Sequence, residues 1–127
     1  MPVLGIGGFF WRAKDPEALK TWYRDVLGVG AGFGTDAEGK SSDWFWHPEP
    51  GPVVFEPFKD STDYFAADRQ FMLNLRVRDL DSLLEQLNAS GVAVITKAEW
   101  DSPETGRFAR IHDPEGTPIE LWEPPAE

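Results

Sequence analysis

The sequence predicts an α+β domain made of two βαβββ modules, whose curved mixed sheet forms a half-open cup with the helices outside. Three observations predict this. Residues 6–58 and 70–122 repeat one another at an offset of 64 positions: Phe9–Asp15 falls on Leu73–Asp79, Leu19 on Leu83, and Glu56 on Glu120. Each half places a helix start directly after an apolar strand-like run. Each half closes with a Pro/Gly turn between two strand-like segments. A duplicated unit of this size buries one face against its twin, so equivalent positions meet across a pseudo-two-fold axis.

The elements follow in order. Residues 3–12 are apolar and predict a strand. Asp15 is placed to cap a helix, with Pro16 at its first position and Glu17 in its first turn. Leu19, Trp22, Tyr23, Val26 and Leu27 form the buried stripe of that helix, and Gly28 ends it. The glycine-rich stretch 28–42 predicts a loop with at most a short strand near Gly32–Gly34. Asp43–His47 and Pro52–Glu56 predict a hairpin around Pro48–Gly51. Module 1 thus covers about residues 3–58, a polar linker about 59–69, and module 2 about 70–123 of a single domain spanning 1–127.

In module 2, Phe71–Arg78 predicts a strand, and Asp79 caps a helix carrying Leu80, Leu83, Leu84 and Leu87. Val92–Thr96 predicts a strand and 97–105 a polar loop. Gly106–His112 and Thr117–Glu123 form the last hairpin around Asp113–Gly116.

Composition excludes several classes of function. There are no cysteines, so disulfides, thiolate metal sites and cysteine nucleophiles are absent. A net charge of −10 argues against nucleic acid as a partner and suits a cationic ligand. No apolar run is long enough for a membrane span, and the N-terminus lacks a basic leader, which points to the cytoplasm. Gly28-x-Gly30-x-Gly32-x-Gly34 follows a helix rather than a strand and lacks the Lys-Ser/Thr ending of a phosphate loop.

Strand alternation then sorts the hairpin side chains by face. The last turn sets Arg110 opposite Glu120 and Phe108 opposite Trp122. The first sets Trp46 opposite Glu56 and Trp44 opposite Phe58. These residues form the expected inner wall of the cup, with Ile119, Leu121, Val53 and Phe55 turned toward the helices. Glu120 is expected to pair with Arg110, leaving Glu56 as a lone acid among tryptophans. His47 and His112 are read as turn histidines on the outer face.

Four segments carry a family resemblance: Arg12-Ala13-Lys14-Asp15-Pro16, Trp22-Tyr23-Arg24-Asp25-Val26-Leu27-Gly28, Val77-Arg78-Asp79-Leu80, and Asp113-Pro114-Glu115-Gly116-Thr117-Pro118-Ile119-Glu120-Leu121-Trp122. Over nearly its whole length the chain resembles the glyoxalase/bleomycin-resistance/extradiol-dioxygenase proteins, the vicinal oxygen chelate superfamily. That resemblance implies metal-ligand positions at Gly8, Glu56, Met72 and Glu120, and the pairs 8/72 and 56/120 each share the repeat offset. Glycine has no donor and a thioether suits hard cations poorly, so only Glu56 and Glu120 remain as weak metal candidates and no cofactor is expected. The resemblance also implies rim positions for Arg12 and Arg76, where a ligand carboxylate is clamped, and a homodimer in side-by-side or swapped form.

Three functions stay open. The first is a metal-independent binder of a small, cationic aromatic ligand, using Arg12, Trp44, Trp46, Met72, Asn74, Arg76, Phe108, Arg110 and Trp122. The second is an enzyme, a lyase, isomerase or dioxygenase, with Glu56 and Glu120 as catalytic groups alone or with a divalent metal. The third is a non-catalytic interaction module.

Overall fold

The computed structural model describes residues 2–40 and 44–126. The start of the expected strand at Asp43 lies outside the described residues, as do Met1, Ser41, Ser42 and Glu127.

Helix α1 spans Pro16–Trp22 and begins where the sequence predicts. The Asp15 carboxylate accepts the Ala18 amide at 3.1 Å, and Pro16 needs no partner for a missing N–H. The chain then widens into one π-helical turn, Tyr23–Leu27, closed by Gly28 at φ 66°. Helix α2 spans Leu80–Ala89. Its cap Asp79 holds a left-handed backbone (φ 50°), steadied by its own carboxylate, which accepts from the Ser82 amide and hydroxyl. A short 3₁₀ turn covers Ala98–Trp100.

The sheet has three strands: β1 Leu73–Arg76, β2 Arg107–His112 and β3 Pro118–Glu123. Their order is β1-β3-β2, with β1 parallel and β2 antiparallel to the central β3. Arg110 lies opposite Glu120 and Phe108 opposite Trp122, the register the last turn predicts. One face of this sheet meets both helices. Ala109, Ile111, Ile119 and Leu121, all fully buried, pack with Leu19, Tyr23, Leu80 and Leu87 into one apolar core.

The structure is therefore a small α+β fold with an open mixed sheet, whose three strands among the described residues all come from the second half. In module 1 the helix appears but the flanking strands do not pair into a ladder. Residues 2–12 and 48–58 run without regular structure, and many of their apolar side chains stay in solvent: Leu4 is fully exposed, and Phe10, Val53 and Phe55 are exposed, whereas Phe9 and Trp11 meet Phe71 and Trp11 also meets Tyr23. The physical reason is that period-2 patterning prescribes an extended backbone, while a ladder needs a free strand edge in register. The short strand expected at Gly32–Gly34 is reduced to one bridge, Gly34 to His47, flanked by hydrogen bonds from Gly32 to Phe45 and from His47 to Phe33. The strand expected at Val92–Thr96 is likewise reduced to Ile95, which exchanges two backbone hydrogen bonds with Arg110. Among the described residues no helix is long and apolar enough to cross a membrane.

Candidate functional site

The sheet face away from the helices carries two rows of side chains, each crossing all three strands. The first row is Asn74, Glu120 and Arg110; the second is Arg76, Trp122 and Phe108. Adjacent strands bring cross-strand neighbours within reach of one another, so each row is a contiguous surface.

Glu120 sits at the centre of the first row and is 7% exposed. Its Oε1 accepts from Asn74 Nδ2 at 2.7 Å, and its Oε2 accepts from the Tyr64 hydroxyl. Both carboxylate oxygens are thus satisfied, which is what a buried carboxylate requires. Burial pushes the Tyr64 phenol up to about 12, reinforced by the hydrogen bond to Glu120 and opposed by the nearby Arg110 charge.

Arg110 does not pair with Glu120, contrary to the sequence expectation. No ion pair within 4.0 Å joins them among the described residues. The guanidinium lies instead over two rings, 4.9 Å from the centroid of Tyr64 and 5.5 Å from that of Trp100. Arg110 is 6% exposed, and its Nε and Nη2 are buried without a hydrogen-bond partner among the described residues. The two rings touch each other at 6.0 Å, and Phe58 meets Tyr64 at 5.6 Å. Residues 61–67 and Arg110 line a hollow of about 570 Å³ over this part of the sheet.

The second row is apolar in the middle and tethered at its edge. Phe108 and Trp122 stack with ring planes 8° apart, and Trp122 Nε1 donates to the Thr105 carbonyl at 2.7 Å. Arg76 donates to the Glu49 carbonyl at 2.7 Å, and Arg78 pairs with the Glu49 carboxylate. These two arginines hold the Pro48–Gly51 turn against the edge of β1.

The remaining predicted residues are not joined to this cluster. Glu56 is exposed and takes part in no hydrogen bond or ion pair among the described residues. Trp44 and Trp46 are exposed on the 44–47 segment, where Trp44 meets Phe45 edge-on. Arg12 and Gly8 lie exposed on the N-terminal segment, and Met72 is half-buried beside β1. His112 follows Arg110 by two positions in β2 and shares its face, correcting the outer-face expectation. Burial, together with the charges of Arg110 and Arg69, holds the His112 imidazole below its ordinary range.

Sequence reasoning missed Tyr64 and Trp100, which lie in the polar segments read as linker and loop. The available signal was their type: a large aromatic in a polar loop gains most by lying down on something apolar. Among the described residues no group of three His, Asp or Glu side chains is arranged to hold a metal ion. A second hollow, of about 430 Å³, lies between α1 and the turn at Pro114 and Glu115. Two of its carboxylates are already committed, Asp15 to the α1 cap and Glu115 to the Lys14 and Asp15 amides, while Asp25 is exposed at its edge.

A family model for the glyoxalase-like domain matches residues 8–122. The chain belongs to the glyoxalase-like domain family. With it comes membership of the vicinal oxygen chelate superfamily. Among solved structures, this glyoxalase-like chain is similar to TnmS3, an antibiotic binding protein from Streptomyces sp. CB03234. The two are 25% identical, with a TM-score of 0.56 and 98% of each chain covered. A glyoxalase/bleomycin resistance protein from the same organism is also 25% identical, with a TM-score of 0.42, covering 87% of this chain and 92% of its own. No curated protein matches the chain.

Proposed function

We propose that this protein binds and sequesters a small, flat aromatic molecule on the helix-free face of its sheet, without a metal. The observation that carries the reading is the aromatic hollow around Arg110. Tyr64 and Phe65 are the aromatic residues that line it with Arg110, Trp100 lies against Arg110 and Tyr64, and Phe108 stacked on Trp122 extends the same sheet face. A few fixed polar groups beside aromatic walls are the usual make-up of a small-molecule site. The likeness to TnmS3, described as an antibiotic binding protein, supports binding rather than turnover.

The metal-dependent enzyme gains no comparable support. Gly8 and Met72 stand where the resemblance puts ligands, and both oxygens of Glu120 are engaged by Tyr64 and Asn74. A homodimer remains part of the proposal. The apolar side chains left in solvent on residues 2–12 and 48–58 form the kind of surface that association covers.

Isothermal titration with 9-anthracenecarboxamide, a neutral flat probe, tests the reading. Saturable binding that is weakened about fivefold by Tyr64→Ala is expected, since stacking on one ring contributes on the order of 1 kcal/mol. Absence of saturable binding to the folded protein overturns it.

A further inference from the structure

We infer that the hollow recognises an anionic oxygen of its ligand, a carboxylate or acidic phenol, through Arg110. The inference rests on the binding function proposed above and adds the charge of the group received.

The first ground is an unmet hydrogen-bonding demand. Nε and Nη2 of Arg110 are buried, have no hydrogen-bond partner among the described residues, and belong to a residue that is 6% exposed. Buried donors are satisfied in the great majority of cases, so two orphan donors on one guanidinium call for an acceptor. Nε and Nη2 are the edge of the fork that takes a planar two-oxygen group in bidentate fashion.

The second ground is the local charge. A guanidinium keeps its proton at every working pH, so this site is positive whatever the whole chain carries. The net charge of −10 predicted a cationic ligand. Long-range charge steers encounter, but contact energy is set by the groups that touch, and a buried one is screened far less. Of the carboxylates nearby, Glu120 is occupied by Tyr64 and Asn74, and Asp63 lies exposed in the strap that borders the hollow. Arg69 adds a second positive charge on this side, felt together with Arg110 at His112.

The third ground is access. Arg110 lines the hollow, and the segment over it, residues 61–67, has no ladder to hold it down and exposes Ser61, Asp63, Ala66 and Ala67. A ligand entering beneath this strap meets the Tyr64 ring with its flat face and the guanidinium with its oxygen.

Three isosteric probes separate this inference from the reading beneath it: 9-anthracenecarboxylate, 9-anthracenecarboxamide and 9-(aminomethyl)anthracene, titrated calorimetrically at pH 7. The carboxylate is expected to bind at least about tenfold tighter than the amide, and the ammonium most weakly. In Arg110→Met the carboxylate-to-amide ratio is expected to fall to about one. Equal binding of carboxylate and amide to the unmodified protein, or tighter binding of the ammonium, overturns the anion inference and leaves the aromatic site standing. Failure of all three probes overturns both. If Arg110→Met does not fold, the probe comparison on the unmodified protein decides alone.

Discussion

The Tyr23 hydroxyl donates a 2.8 Å hydrogen bond to Asp113 Oδ2, joining the helical segment of the first half to the last hairpin turn across 90 residues. Asp113 is the hub of that turn. Its Oδ1 accepts from the Glu115 amide at 2.9 Å and the Thr117 amide at 3.0 Å, while Tyr23 holds the other oxygen. Both residues are buried, Tyr23 at 5% and Asp113 at 4% exposure. The hairpin that presents Arg110 and Glu120 is thus anchored from the helix side of the sheet.

Tyr23→Phe removes the hydroxyl and leaves Asp113 Oδ2 buried without that donor. The cost is expected to be about 1–3 kcal/mol, because a buried acceptor keeps its desolvation penalty when its partner is lost. Urea unfolding checks this through a lower midpoint at unchanged slope. A midpoint within error of the unmodified protein contradicts the anchoring role.

Stability is expected to fall on the alkaline side. The phenols of Tyr23 and Tyr64 are both raised in the folded state, first by burial and then by their carboxylate partners Asp113 and Glu120. Below the ordinary tyrosine value of 10.0 both states are protonated and nothing changes. Above it the unfolded chain ionises first, so stability is lost from pH 10 up through the folded value, about 12 for Tyr64. Tyr64→Phe should flatten part of this limb in urea midpoints measured across that window.

The acid limb has its own groups. The Glu115 carboxylate is held below its ordinary 4.5 by the Asp15 and Lys14 amides. His112 is held below 6.5 by burial, then by Arg110 and Arg69. In each case the unfolded state takes up its proton at higher pH than the folded one. Stability is present above the ordinary value and declines as pH falls, from about 6.5 for His112 and from about 4.5 for Glu115. His112→Gln should remove the first of these declines and leave the second.

Gly106→Ala is expected to cost on the order of 2–4 kcal/mol. Gly106 has φ +104°, and an added Cβ would lie 2.2 Å from the Glu123 carbonyl oxygen. It also exchanges two backbone hydrogen bonds with Ser102, closing the loop whose Thr105 carbonyl receives Trp122. Thermal unfolding followed by circular dichroism measures the loss. Loosening of the Trp122 indole should appear as a changed near-ultraviolet signal.

The hairpin face was legible because its determinants are local. A Pro/Gly turn of known position and a side-chain period of two place Arg110 beside Glu120 and Phe108 beside Trp122. Which partner each side chain takes was not legible. Glu120 turns to Tyr64 and Asn74, and Arg110 to two rings, because Tyr64 and Trp100 arrive from loops whose path no periodicity encodes. His112 was misplaced although the same alternation puts it on the face of Arg110.

By itself the amino-acid sequence determined the family, both helix starts at Asp15 and Asp79, the last hairpin and its register, and the apolar face given by Ile119 and Leu121. These follow from caps, turns and spacing within a few residues. Only the tertiary structure decided that the first-half strand segments form no ladder among the described residues, that Glu56 stays exposed while Glu120 is buried, and that the Arg110 guanidinium lies over Tyr64 and Trp100. Those outcomes depend on which distant segments reach one another, and the energy of such contacts is set by shape and burial rather than by local pattern.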